Sequence, residues 1–320
     1  MEPQPIISRA IAILRRGGLI GLPTETVYGL AADAENELAV RGIFAAKGRP
    51  ADHPVIVHLA AAAQIADWAV DIPGSAWRLA HAFWPGPLTI ILRRSPKAAE
   101  AVTGGLDTIG LRVPSHPVAQ QVLQAFGGGL AAPSANRFGR VSPTTAEHVR
   151  EELGNRVELV LAGGPCAIGL ESTIVDLSSD EPALLRFGAI TPEQIQSVLG
   201  RRLGDPARNS TPTSGRLASH YAPRAAVELV AASELESQAS QWAMHGRTVA
   251  VLAESLTVDL PGVLFRPMPG DAAGFARELY AALREADTHG VQIALVVPPP
   301  EAGLGLAIAD RLRKAAAPRA

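Results

Sequence analysis

What most restricts the fold of this chain is an alternation. Short apolar runs keep giving way to stretches of helical periodicity, and nearly every apolar run ends in a cluster of hydrogen-bonding side chains. The plainest case is "LAAPSANRFGRVSPT" (130–144), where an apolar run stops at Pro133. Ser134, Asn136, Arg137, Arg140, Ser142 and Thr144 then crowd around one glycine. Apolar residues spaced three and four apart mark one helix face, while short continuous apolar runs bounded by turn residues mark buried strands. Strands and helices mixed in this way predict an α/β protein with a twisted, mixed sheet.

Along the chain, a helix is expected over 6–16, stopped by Gly17 and Gly18, followed by a strand at 19–22. Helices are predicted at 37–47, around 61–69, at 74–83, 117–126, 144–153 and 192–199. Strands are predicted at 54–59, 88–93, 108–113, 129–132, near 157–161, at 172–177 and at 183–187. A first domain therefore spans 1–200. Residues 201–224 lose periodicity and are rich in Pro, Gly, Ser and Arg, which marks a linker. From 225 to 320, strands at 225–230, 247–253 and 291–299 alternate with helices, one at 272–287 and a last one reaching about 316. That alternation predicts a small Rossmann-like, parallel α/β domain.

Bulk properties exclude several classes. The 320 residues suit two domains better than one. With 29 basic and 31 acidic residues, the chain is no broad nucleic-acid-coating surface, although a local basic pocket is compatible with the balance. Cys166 is the only cysteine, so an internal disulfide and a cysteine-cluster zinc site are out, and a reduced compartment fits best. Cys166 itself reads as a small, half-buried residue without a catalytic role. Arg9, Arg15 and Arg16 interrupt the N-terminal apolar pattern, so no signal peptide is expected, and the chain reads as cytoplasmic with no membrane span. No GxxxxGK[ST] loop, GxSxG elbow or HExxH is present. "GLGLAI" (303–308) reads as a helix-entry turn.

The chemistry is carried by the strand ends. "LPTETVYGLA" (22–31) offers Thr24, Glu25, Thr26 and Tyr28, "KGRP" (47–50) ends a helix with two cations, and "VIVH" puts His58 at a strand end. "TIGLRVP" places Thr108 and Arg112 four apart, hence on one strand face. Arg112 lies between Leu111 and Val113, and Arg186 between Leu185 and Phe187. An arginine inside an apolar strand is costly unless an anion or a carboxylate meets it. Two such arginines, a Lys-x-Arg pair and several hydroxyl-rich strand ends predict a pocket for a polyanion and a smaller carboxylate. A nucleoside triphosphate with an amino acid satisfies both.

Taken in order, "LPTETVYGLA", "KGRP" with "HPVIVHL", "FWPGPLTIIL", "TIGLRVP", "APSAN" with "SPT", "ESTIVDL" and "LLRFGAI" resemble the YrdC/Sua5 family. "HYAP" (220–223) and the ending "GLGLAIADRLRKAA" resemble its longer branch, which carries a C-terminal domain. The resemblance implies a YrdC-like catalytic domain that forms threonylcarbamoyl-adenylate and pyrophosphate from L-threonine, bicarbonate or CO2, and ATP with Mg2+. It also implies that the group passes, through threonylcarbamoyl transferase machinery, to adenosine 37 of tRNA, with direct tRNA binding not required. By motif, Thr24, His58, Arg112, the backbone at Ala132 and Ser172 are expected on threonine. Lys47, Arg49, Thr108, Ser134, Asn136, Ser142 and Arg186 are expected on ATP, joined by Tyr221 and Arg224 from a linker that folds over the site as a lid. This sequence departs from the family where "TPTSGRLAS" precedes "HYAP".

Crowded negative charge is the main obstacle to that reaction, so Lys47, Arg49 and Arg112 are the expected catalytic cations. Glu25 and Asp33 are candidate metal contacts. Two other classes compete: an RNA-binding module without catalysis, and a carbamoyl transferase of metallocentre assembly, which one cysteine disfavours.

Overall fold

The computed structural model describes residues 4–204, 219–257 and 261–318. Of the expected linker and lid, 201–224, residues 205–218 lie outside the described residues. The chain forms two compact units: Met1–Phe138, Pro143–Ala167 and Glu171–Arg216 in one, and Gly139–Ser142, Ile168–Leu170 and Leu217–Ala320 in the other.

The first unit opens with α1 (Pro5–Arg15), β1 (Ile20–Leu22), β2 (Gly29–Asp33), α2 (Glu37–Lys47) and β3 (Val57–His58). Next come α3 (Ile65–Trp68), β4 (Ala69–Val70), α4 (Gly74–Phe83), β5 (Leu88–Arg94), α5 (Glu100–Thr103) and β6 (Thr108–Arg112). It closes with α6 (Pro117–Phe126), β7 (Leu130–Ala131), α7 (Ala146–Leu153), β8 (Leu159–Val160), β9 (Thr173–Asp176), β10 (Ala183–Arg186) and α8 (Pro192–Leu199). The strands form one mixed sheet in the order β10-β9-β5-β6-β3-β7-β2-β1-β8, with β4 paired on β5. Side-chain alternation feeds two cores. Ala31 joins α1 and α6 through Ile7, Leu14, Val122 and Leu123, whereas Leu30 and Ala32 join α2 and α4 through Val40, Ile43 and Leu79.

Local chemistry sets the ends of α2 and thereby places Lys47. Asn36 caps the helix by accepting the N–H groups of Leu38 and Ala39 at 3.1 and 3.2 Å. Gly48, at φ +63°, takes the left-handed conformation that ends it, leaving Lys47 as its last residue, 3% exposed.

Some expected elements change. The strand over 54–59 shrinks to Val57–His58, because Pro54 has no N–H to give and the Val55 N–H goes to the Val102 carbonyl instead. The helix around 61–69 splits into a short 3-10 turn (Ala62–Gln64), α3 and β4. Strand β2, which pairs with β1 and β7, was not anticipated.

The second unit contains β11 (Ala226–Leu229), α9 (Leu235–Met244), β12 (Val249–Ala253), β13 (Val263–Pro267), α10 (Ala272–Thr288), β14 (Ile293–Val296) and α11 (Leu304–Ala316). Its sheet, β11-β14-β12-β13, is parallel throughout. The edge strand β13 was also not anticipated. No helix among the described residues is long and apolar enough to cross a membrane.

Candidate active site

Sheet register brings the polar strand ends of the first unit into one row. In the parallel pairing of β3 with β6, His58 stands beside Arg112. On the other flank of β6, Ile90 of β5 pairs with Leu111, so the next position along that ladder sets Thr89 beside Arg112. The Thr89 and Ser172 hydroxyls lie 2.8 Å apart, and Arg186 reaches Ser172 from the edge strand β10. His58, Arg112, Thr89, Ser172 (the residue just before β9) and Arg186 thus follow the contiguous order β3-β6-β5-β9-β10. Four inter-strand steps span about 19 Å. All five side chains are buried, which is costly without partners.

Arg112 has three kinds of partner. Its Nε donates to the Gly86 carbonyl at 3.2 Å and its Nη1 to the Thr26 hydroxyl at 2.8 Å. Its Nη2 lies 2.7 Å from Glu25 Oε1, an ion pair whose atoms meet off-axis, without hydrogen-bond alignment. The other Glu25 oxygen accepts the Ser115 N–H at 3.1 Å. Gly86 must be glycine for this seat: a Cβ there would stand 2.3 Å from the Phe83 carbonyl oxygen. Sequence reasoning expected an external anion on Arg112, whereas the resting partner is a carboxylate of the protein. Of the two candidate metal contacts, Glu25 is thus turned toward Arg112 and Ser115. Asp33 Oδ1 accepts the Glu35 N–H, and no group of three potential metal ligands occurs among the described residues.

Around this pair the turn is held by Thr24, whose hydroxyl lies 2.9 Å from that of Thr26 and donates to the Val27 carbonyl at 2.6 Å. His58 is pushed down to about 3, by burial first and then by the Arg112 charge, so its imidazole is neutral at physiological pH. Its Nδ1 is buried without a hydrogen-bond partner among the described residues. The Ala132 N–H is given to the Ile56 carbonyl, so a backbone contact from Ala132 to a ligand falls to its carbonyl. Cys166 is buried rather than half-buried, at 2% exposure. Burial, then the Glu25 charge, push its thiol up to about 12, which makes it a poor nucleophile.

Arg186 sits where β10 slips by one residue against β9, between Leu184 and Arg186. Such a bulge re-aims the side chain that follows it. Its Nε donates to the Ser172 carbonyl at 2.9 Å and its Nη2 to the Ser172 hydroxyl at 3.0 Å.

Lys47 reaches back from α2 to the "PSAN" loop. Its Nζ donates to the carbonyls of Ser134 and Asn136, while an isolated bridge pairs Ser134 with Gly29. Burial, then the neighbouring Arg49, hold its ammonium well below the usual lysine range, and Glu152 and Glu171 act in the opposite sense. Glu171 precedes Ser172, which ties this cation to the polar row. Arg49, half-buried, donates to the Pro54 carbonyl at 2.9 Å. Asn136 donates to the Arg137 carbonyl at 2.7 Å. Thr108 shares the Arg112 face but stands about 13 Å further along the strand, opposite Arg93.

Three expected nucleotide contacts belong to the second unit. Ser142 is fully buried, and its carbonyl accepts from Arg284. The Tyr221 ring is stacked on Tyr280 at 5.8 Å and lies 5.0 Å from the Arg311 guanidinium. The Arg224 backbone N–H binds Asp287, and its side chain is exposed. Sequence reasoning missed Thr89 and the Gly86 carbonyl. A lone hydroxyl inside the apolar "LTIIL" was the available signal for the first.

Two family models cover nearly all of the chain. The Sua5/YciO/YrdC model, described as telomere recombination, matches residues 12–188. A model described as threonylcarbamoyl-AMP synthase, C-terminal domain, matches residues 190–317. The threonylcarbamoyl-AMP synthase of Pyrococcus abyssi is 40% identical over 318 residues, covering 96% of this chain and 92% of that protein. The Bacillus subtilis protein of the same name is 41% identical over 327 residues, covering 98% and 94%. Among solved structures, P. abyssi Sua5 complexed with L-threonine superposes with a TM-score of 0.90 at 40% identity, over 97% of this chain and 94% of that one.

Proposed function

This chain belongs to the Sua5/YciO/YrdC family, and from that premise we propose that it makes threonylcarbamoyl-AMP and pyrophosphate from L-threonine, bicarbonate or CO2, and ATP. The observation that carries the reading is the buried row of His58, Arg112, Thr89, Ser172 and Arg186, four of them on strands and Ser172 at the entry to β9. Two buried guanidinium groups, three strand steps apart along one polar row, suit a small carboxylate at Arg112 and phosphates at Arg186.

In the proposed reaction the threonine ammonium first gives a proton to solvent. The free amine then attacks CO2 with loss of a second proton to solvent, or bicarbonate with loss of water, to give an N-carboxylate. One carboxylate oxygen then attacks the α-phosphorus of ATP, forming the mixed anhydride as the P–O bond to pyrophosphate breaks. Arg112 binds the threonine carboxylate, Thr24 and the neutral His58 border the amino acid, and Ser172 and the Ala132 carbonyl complete its pocket. Arg186, Lys47 and Arg49 oppose the phosphate charge, with Thr108, Ser134 and Asn136 as further nucleotide contacts. Catalysis here is orientation and charge compensation more than proton transfer. Mg2+ enters as part of the MgATP substrate, held by phosphate oxygens as is usual for this ion. The product supplies a transferase that modifies adenosine 37 of tRNA, in the cytoplasm.

The test is incubation of the protein with L-threonine, bicarbonate, ATP and Mg2+, followed by mass detection of the mixed anhydride and of pyrophosphate. Threonine-independent pyrophosphate release, or no anhydride, refutes the assignment.

A further inference from the structure

We propose that Glu25 is a substrate-binding residue, the acceptor for the α-ammonium group of the amino acid whose carboxylate Arg112 receives. The inference rests on the functional reading above and adds to it a residue with a stated ligand group.

The argument starts from bonds not made. Arg112 carries five N–H bonds, of which one on Nε and one on Nη1 meet Gly86 and Thr26. Nη2 faces Glu25 Oε1 at 2.7 Å, yet neither of these two buried atoms has an aligned hydrogen bond. A buried ion pair is well compensated only when its remaining donors and acceptors are also met. This pair is close in charge and unfinished in hydrogen bonding, on both partners at once. Glu25 is nevertheless fixed, because its second oxygen holds the Ser115 N–H. What completes such a pair is a small molecule that presents an anion and a cationic donor side by side.

An α-amino acid zwitterion has that form, with carboxylate and ammonium on one carbon. Each protein charge exchanges its internal partner for one on the ligand, so no buried charge is left alone when the amino acid enters or leaves. The neighbouring His58 is neutral and adds no competing cation.

The test compares L-threonine with (R)-3-hydroxybutyrate, which keeps the carboxylate and the hydroxyl but lacks the amine. Competition against ATP–pyrophosphate exchange and calorimetry both report binding. In the wild type, the analogue should bind at least roughly tenfold more weakly than L-threonine. Glu25→Gln should weaken L-threonine by roughly tenfold or more while leaving the analogue and the ATP KM within about twofold. Equal weakening of both ligands means that Glu25 only seats Arg112, and overturns the inference, as does unchanged L-threonine binding. Should Glu25→Gln fail to fold by circular dichroism, Glu25→Asp, which keeps the charge at shorter reach, must show the same selective loss. Wild-type protein that binds no L-threonine refutes the functional reading itself, which separates the two failures.

Discussion

Acid should destabilise the first unit through one identifiable side chain. His58 is held near 3 in the folded protein, by burial and then by Arg112, against an ordinary value of 6.5. Because the folded value is depressed, stability is complete above pH 6.5 and is lost as pH falls, since the unfolded chain takes up a proton that the folded site refuses. At pH 4.5 the unfolded imidazole is two pH units below its own midpoint while the folded one is still neutral, a loss of about 2.7 kcal/mol at 1.36 kcal/mol per unit. Urea unfolding at pH 7.5 and 4.5, for wild type and for His58→Gln, isolates this amount as a double difference, because the other carboxylates and histidines cancel. Tryptophan fluorescence suits the measurement, since Trp68, Trp77 and Trp84 all belong to the first unit and only Trp242 to the second. The imidazole C2 exchange rate of the His58 peptide, followed by mass spectrometry against pH, reads the same property directly. A double difference near zero, or a C2 midpoint between 6 and 7, would refute the claim that His58 is sealed beside a cation.

Other outcomes are expected. Arg112→Ala leaves Glu25 buried alone and should cost about 3–5 kcal/mol, with threonine-dependent ATP–pyrophosphate exchange abolished. Replacing Arg112 and Glu25 together by Met should restore much of the stability but not the exchange, and persistent exchange in either protein removes Arg112 from the site. Lys47→Met with Arg49→Gln should raise the ATP KM roughly tenfold or more and the threonine KM much less, whereas equal rises would contradict their assignment to the phosphates. Native Cys166, with its thiol pushed up to about 12, should resist iodoacetamide at pH 8 and react once the chain is unfolded in guanidinium. Rapid labelling of the native protein would show that the Glu25 environment is open to solvent.

The sequence revealed what depends on local spacing. Helix α2 occupies the expected 37–47 because its cap, its apolar period and Gly48 all lie in one short stretch. Arg112 and Arg186 were recognisable from charge inside apolar strands. What it hid depends on pairing across the sheet. Nothing near Arg112 announces that its counter-charge comes from Glu25, in the turn between β1 and β2. Nor does anything near Glu25 announce that its oxygens face Arg112 and Ser115. Strand β3 was overestimated because apolar character was taken for pairing, although Pro54 cannot pair. Strand β13 was overlooked because its residues are mostly half-buried and it ends in Pro267, as an edge strand can. Lys47 and Arg49 looked like one cationic clamp, yet Lys47 also braces the "PSAN" loop through two carbonyls.

The second unit is not contiguous along the gene. Gly139–Ser142 and Ile168–Leu170 belong to it, and the Arg140–Asp287 ion pair and the Arg284 bond to the Val141 carbonyl are part of its fabric. Recombination that splices on a foreign tail after residue 200 would therefore strand two short peptides upstream, with their matching surface replaced. Exchange of the C-terminal half between relatives should succeed only when those upstream peptides travel with it, so the two halves must be inherited as a set.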